Sequence, residues 1–324
     1  MMTLLRAWAI ALLMMGAAVS ARPPAHGPDL SLVGSYGAAE GDATIFERDG
    51  GLFLARKDLA DEPLKPLGSG RYRAGSAVAV VTANGLTFDG RTLVRRDYGA
   101  ETEASIRATV RRDGAALRQA ALAATPPAEP PAQRASDLVS LAGLVPHVRI
   151  DTRYASTNNF TGQPIYERAG AYLQRPAAQA LARVAKELAQ KGYGLIVYDG
   201  YRPWFATKLF WDIVPADKHV FVADPAKGSR HNRGCAVDLG LYDLKTGAVS
   251  PMPSRYDEMS ARAHADYAGG TDAERANRAL LRAAMERQGF AVYDSEWWHF
   301  DYRDWADYPI GTASFTQIEA GRQR

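Results

Sequence analysis

Five side chains in the second half of the chain are of the types that hydrolytic chemistry uses: Arg202, His231, Asp238, Glu296 and His299. Imidazole nitrogens and a carboxylate oxygen are ligands for a divalent cation. Two histidines with one aspartate leave a fourth position open, as catalytic zinc sites do and closed structural sites do not. A further carboxylate, Glu296, is then free to act as base on a water whose pKa the cation lowers to about 7. A guanidinium in the same place can stabilise an oxyanion or grip a carboxylate.

These residues lie in short, distinctive stretches. His231 and Asp238 belong to Ser229-Arg230-His231-Asn232-Arg233-Gly234-Cys235-Ala236-Val237-Asp238. If Cys235–Leu241 is a strand, Val237, Leu239 and Leu241 face one way, and Ala236, Asp238 and Gly240 face the other. Asp238 then projects from a face of small residues with room for a ligand. A carboxylate in an apolar strand is costly unless paired or metal-bound; the other reading is a loop cap. His231 precedes Asp238 by an odd number of positions, so a regular strand puts the two on opposite faces, and a turn at Gly234 would remove the conflict. Glu296 and His299 flank Trp297-Trp298. On a helix they would share a face; on a strand they would not, unless the strand ends or bulges between them, and the spacing does not choose. In Tyr198-Asp199-Gly200-Tyr201-Arg202-Pro203, Arg202 sits where a strand turns into a helix. There it either serves the site or pairs structurally with Asp199, and both readings stand.

The elements that must position these residues can be read from pattern and punctuation. Arg175–Lys191 is a helix candidate: Pro176 suits its first turn, Leu181, Val184 and Leu188 share a face, and Gly192 can end it. Leu195–Tyr198 is a short apolar run suited to a buried strand. Pro203 opens a helix to about Ile213, and Thr271-Asp272-Ala273-Glu274 is a capping box for a helix to Gln288 that Gly289 closes. Phe290–Tyr293 and Trp297–Tyr302 are strand-like. Helices and strands without regular βαβ alternation indicate an α+β fold, an antiparallel sheet with packed helices.

The rest of the chain divides by composition. Residues 1–21 read as a secretory signal: Arg6, an apolar run from Ala7 to Met15, then small residues at Val19-Ser20-Ala21. Cleavage would leave a chain with no membrane span, periplasmic or secreted. Residues 22–112 read as a small β-rich accessory domain, with hairpins Ala43–Arg48/Leu52–Arg56 around Asp49-Gly50-Gly51 and Ala77–Thr82/Leu86–Phe88 around Ala83-Asn84-Gly85, where Asn-Gly would supply positive φ angles, and a further strand at Thr92–Val94. Residues 113–135 are an Ala/Pro-rich linker, preceded or entered by a short helix at Ala115–Ala124. Residues 136–324, which hold the five side chains above, read as the catalytic domain. A formal charge of +3, from 39 basic and 36 acidic residues, gives no footing for nucleic acid. One cysteine, Cys235, excludes an intrachain disulfide and a Cys-rich zinc knuckle.

From about residue 140 to 305 the motifs resemble those of the D-alanyl-D-alanine dipeptidases, the VanX type, within the wider group of zinc D,D-peptidases that includes VanY-type carboxypeptidases. The wider pattern is Ser229, His231, Gly234, Ala236 and Asp238, with Glu296 and His299. The narrower one adds Tyr154-Ala155-Ser156-Thr157-Asn158-Asn159-Phe160-Thr161-Gly162, Ala171-Tyr172-Leu173, Asp199–Pro203, Tyr256-Asp257-Glu258-Met259-Ser260 and Glu296–Phe300. The resemblance implies one Zn²⁺ held by His231, Asp238 and His299, with Glu296 as general base and Arg202 on the tetrahedral oxyanion. It implies that Ser229 and Asp257 hold the ends of a D,D-dipeptide, with Asp257 near the ammonium, and that the segment beginning at Tyr154 walls a small pocket. The implied reaction is hydrolysis of D-alanyl-D-alanine to two D-alanines, tied to cell-wall turnover or salvage. The alternatives are a D,D-carboxypeptidase acting on peptidoglycan stem peptides and a non-catalytic wall-binding zinc protein, and peptidoglycan fragments are a further candidate partner. Cys235 departs from the family pattern, which often has serine there. A reactive thiol would disturb a metal, whereas a buried one is inert.

Overall fold

The computed structural model describes residues 27–88 and 90–322, so the expected signal segment lies outside the described residues. Among these residues nine strands make one antiparallel sheet: β1 (Gly34–Tyr36), β2 (Ala43–Arg48), β3 (Gly51–Arg56), β4 (Glu62–Pro63), β5 (Lys65–Gly68), β6 (Arg71–Ala74), β7 (Ala77–Thr82), β8 (Gly85–Phe88) and β9 (Arg91–Arg96), in the order β4-β3-β2-β1-β9-β8-β7-β6-β5. The β2–β3 hairpin turns on Asp49 and Gly50, at φ 50° and 71°, angles a two-residue turn needs. In the β7–β8 hairpin Gly85 is already in the strand, paired with Thr82. Its role differs from the one expected: a side chain there would strike the Leu93 carbonyl, so close backbone approach is what requires glycine.

The strands stop at Arg96, and helix α1 spans Tyr98–Ala123, with the Asp97 carboxylate capping Ala100 N. It is longer than the helix expected at 115–124, starts within the stretch read as strands, and takes up the first part of the expected linker. Few residues in it break a helix, and its buried Ile106, Val110 and Ala121 pack with Tyr154, Phe160, Phe210 and Met259 in one apolar cluster.

The remaining elements are β10 (Leu138–Ser140), β11 (Val148–Ile150), β12 (Tyr172–Gln174), α2 (Arg175–Ala189), β13 (Tyr193–Asp199), α3 (Trp204–Ile213), β14 (Ala236–Asp243), α4 (Asp272–Arg287), β15 (Phe290–Tyr293), β16 (Glu296–Tyr302) and α5 (Phe315–Arg322). Five strands form a sheet in the order β11-β13-β14-β16-β15. It is not wholly antiparallel: β11 runs parallel to β13, with Val148 opposite Leu195. The connection between them contains α2, and a parallel return requires such a crossover. The Thr271–Glu274 capping box forms with both reciprocal bonds. On one face of the sheet Leu195, Val197, Val237, Leu239 and Leu241 pack under Leu181, Val184 and Leu188 of α2 and Leu281 and Met285 of α4. Each such side chain contributes about 1.5–3 kcal/mol on burial. The opposite face carries a small apolar cluster of Ile196, Tyr198 and Tyr242 and, beside it, polar residues. No helix among the described residues is long and apolar enough to cross a membrane.

Candidate active site

The sheet register brings the polar residues together. Asp199 on β13 is opposite Asp238 on β14, across a bulge, and Asp238 is opposite His299 on β16. Directly paired residues share a face, so the three side chains lie in a row on the face away from the helices. His231 joins them from a turn rather than a strand. The Asn232 N–H donates to the Ser229 carbonyl, the Gly234 N–H to the His231 carbonyl, and Gly234 adopts φ 67°. Buried Asn232 fastens this turn to α3, its amide donating to the Arg202 carbonyl and Thr207 Oγ1, both at 2.9 Å. Glu296 and His299 meet because the β15–β16 pairing slips: Val292 faces Phe300, but the next residue, Tyr293, faces Glu296. That bulge puts Glu296 Oε2 3.6 Å from His299 Nδ1.

Three atoms then converge. His231 Nε2 is 3.0 Å from His299 Nδ1, and Asp238 Oδ1 is 3.2 Å from each. His231 Nδ1 donates to the Gly200 carbonyl at 2.7 Å, and His299 Nε2 donates to Asp301 Oδ1 at 2.8 Å. With those hydrogens placed outward, the inward nitrogens carry lone pairs. Asp238 Oδ1 is buried and has no hydrogen-bond partner. Three buried lone pairs facing one point require a positive charge between them. Ligands bonded to a tetrahedral zinc at 2.0–2.1 Å stand about 3.3 Å apart, which is close to the observed triangle. His231, Asp238 and His299 are thus a set that a divalent cation fits. Without one, the cluster draws a proton: burial works against it, but Asp301 and Asp238 raise His299 well above its ordinary value. Burial likewise works to raise Asp238, and His231 and His299 overcome it and hold the carboxyl low.

All eight residues singled out in the sequence line one cavity of about 370 Å³: Tyr154, Arg202, Ser229, His231, Asp238, Asp257, Glu296 and His299. Burial pushes Glu296 up to about 8, against the pull of His299. Arg202 pairs with Asp199 and also lines the cavity. Its Nε and Nη2 each lie 2.9 Å from Asp199 Oδ2, while Nη2 is 3.7 Å from Asp238 Oδ2 at the cavity wall. Tyr166 also donates to Asp199, at 3.0 Å. Asp257 accepts a hydrogen bond from Tyr154 at 3.0 Å through Oδ1, and its Oδ2 is buried without a partner. Burial and the neighbouring Asp238 raise Asp257 well above its usual value. Ser229 Oγ accepts from the His231 N–H at 3.2 Å. Cys235 is fully buried in the helix-side core, and its thiol is pushed up to about 12 by that burial, so it is inert.

Sequence reasoning assigned no role to three residues that complete the site. Asp301 orients His299 and lies 3.5 Å from the Arg230 guanidinium. Tyr256 donates to Asp238 Oδ2 at 3.0 Å. Asn232 ties down the His231 turn. Asp301 had a readable signal, since His-x-Asp on a strand places the carboxylate on the same face as the ring. Tyr256 and Asn232 had none beyond their neighbours.

Residues 134–317 match the Peptidase_M15 family model, described as D-ala-D-ala dipeptidase. The chain is similar to a D-alanyl-D-alanine dipeptidase of Escherichia coli (strain K12), 38% identical over 181 residues, 56% of this chain and 92% of that protein. It is also similar to one from Enterococcus faecium, 37% identical over 191 residues, 52% of this chain and 95% of that protein. A solved LD-carboxypeptidase structure, LdcB, aligns over 47% of this chain and 65% of that one at 19% identity with a TM-score of 0.27, too slight a likeness to argue from. The site and the family match define an enzyme, a hydrolase of the metallopeptidase class. The chain belongs to the Peptidase_M15 family of D-Ala-D-Ala dipeptidases. Residues before 134 lie outside the family match.

Proposed function

We propose that this enzyme hydrolyses D-alanyl-D-alanine to two molecules of D-alanine with one Zn²⁺ held by His231, Asp238 and His299. The observation that carries the reading is the convergence of three buried lone pairs beside a high-pKa carboxyl and a buried guanidinium. Bound there, Zn²⁺ would act as a Lewis acid on the scissile carbonyl and lower the pKa of a water at the open position. Glu296 takes the proton of the attacking water and passes it to the leaving amine. A carboxyl raised toward neutrality suits a group that first accepts and then donates; a dication beside it draws its pKa back down. Arg202, held by Asp199, presents its charge to the developing oxyanion. Asp257, with one oxygen unpartnered, receives the dipeptide's ammonium, and its raised pKa falls when that cation arrives. Ser229 offers a hydroxyl to the other end, and Tyr154 fixes Asp257.

The cavity is small, and acidic Asp257 in its wall favours a free amine over an acylated one; both support a dipeptidase over a D,D-carboxypeptidase. Glu296 in place supports turnover over mere wall binding. The expected signal sequence supports work outside the cytoplasm, on wall-derived dipeptide or peptidoglycan fragments. The sheet β1–β9 reads as an accessory module ahead of the catalytic domain. The deciding test is to incubate the purified chain with D-Ala-D-Ala and with N-acyl-D-Ala-D-Ala, each with and without a chelator. Chelator-sensitive release of D-alanine from the dipeptide is expected. Release from the acylated substrate alone would replace this reading with the carboxypeptidase.

A further inference from the structure

Helix α1 precedes the family match, yet it touches two of the loops that wall the substrate cavity. Arg107 Nη2 donates to the Asn159 carbonyl at 2.9 Å, and Arg118 Nη2 donates to the Ile165 carbonyl at 2.9 Å. These two carbonyls bracket a segment that contains Phe160 and follows Tyr154 in the chain. Gly162, between them, lies so close that a side chain there would meet Arg107 Nε at 3.3 Å. At its start the helix docks on the second loop. A side chain at Gly99 would strike buried Glu258, and the Asp97 cap lies 3.4 Å from Arg255. That loop carries Tyr256 and Asp257. Ile106 and Val110 pack in the same cluster as Tyr154 and Phe160.

A second cavity, of about 390 Å³, lies behind this wall, lined by Glu103 and Arg107 of α1 and by Phe160 and Asp257, which also line the first. Phe160 and Asp257 are therefore a partition with space on both sides. A partition of two loops holds its position only if something outside it does.

We propose that α1 is the specificity-determining prop of this pocket: Arg107 and Arg118 hold the Asn159–Ile165 loop so that Phe160 and Asp257 close the dipeptide site off from the cavity behind. The proposal rests on the dipeptidase reading, in which Asp257 meets the substrate's free ammonium; released, the partition opens space where an acyl group would extend. Arg107 and Arg118 are positioning residues and touch no reacting atom.

The test uses the full chain carrying Arg107→Met and Arg118→Met, with zinc content checked. KM for D-Ala-D-Ala should rise about tenfold with kcat held within about threefold, the pattern of lost ground-state binding. The kcat/KM ratio of N-acetyl-D-Ala-D-Ala to D-Ala-D-Ala should rise about tenfold or more. Amides of residues 154–166 should exchange hydrogen faster, and Arg107→Lys, which keeps a donor, should restore part of each effect. If the double variant does not fold, Arg107→Met alone carries the same measurements. A folded variant with unchanged substrate ratio and unchanged exchange overturns the proposal. If the unaltered chain cleaves neither substrate, the dipeptidase reading fails, and the exchange of residues 154–166 alone decides whether α1 is a prop.

Discussion

His231 Nε2 and His299 Nδ1 face each other at 3.0 Å, each with its ring hydrogen committed on the far side, to the Gly200 carbonyl and to Asp301. Two lone pairs do not hold that distance by attraction to one another. The pair, with Asp238 Oδ1, is built for a cation, and a proton and a metal compete for the place.

Metal affinity should therefore fall with falling pH. The proton that Asp301 and Asp238 draw onto His299 must leave when a metal binds. Titration calorimetry in buffers of different ionisation enthalpy should show proton release on zinc binding to the metal-free chain. His299→Ala should lose zinc and activity together; normal zinc content in that variant would remove His299 from the ligand set.

Asp301 acts on the metal through His299. Asp301→Asn keeps an acceptor but loses the charge, and should weaken zinc binding by about 10–100-fold. Competition with a chromogenic chelator measures this, and turnover should recover at saturating zinc. Unaltered affinity would make the Arg230–Asp301 pair purely structural.

Glu296→Gln should bind zinc normally and lose about 10²–10⁴ in kcat, the range for removing a general base. Metal analysis alongside steady-state rates separates this from loss of the ion.

The same residue sets a pH dependence of stability in the metal-free chain. Its folded pKa, about 8, lies above the ordinary glutamate value. The folded state holds this proton more tightly, so the contribution is present below the unfolded pKa and is lost as pH rises toward 8. Glu296→Gln should accordingly raise the melting temperature more at pH 8 than at pH 4.5, by roughly 2–4 °C per kcal/mol relieved. Equal shifts at both pH values would show that burial of the charge is not what costs stability.

Cys235 should be silent toward thiol reagents. Its side chain is fully buried and its thiol is pushed up to about 12, so labelling with an aromatic disulfide should follow global unfolding. Rapid labelling of the native enzyme, with loss of zinc, would contradict this.

Much of the site was legible because its cues are local. The alternation of Ala236, Asp238 and Gly240 against Val237, Leu239 and Leu241 follows from the period of a strand, and the helix-side core accepts the apolar set. Gly234 takes the positive φ that lets the chain turn between His231 and Asp238. The extent of α1 was not legible. Its sequence is rich in Ala and Arg with few buried positions, so only its packing on Tyr154, Phe160 and Phe210 shows that it belongs beside the pocket.

The sequence by itself determined the kinds of chemistry available: which side chains can bind a cation, accept a proton or carry charge, and, α1 apart, where most helices and strands of the catalytic half lie. The tertiary structure decided which of them meet. The register that pairs Asp238 with His299 and the sharing of Arg202 between Asp199 and the cavity wall depend on strands distant in the chain, and the bulge that joins Glu296 to His299 arises only where β15 and β16 pair. Hydrogen-bond register and close packing are properties of paired elements, and a single segment carries no record of its partner.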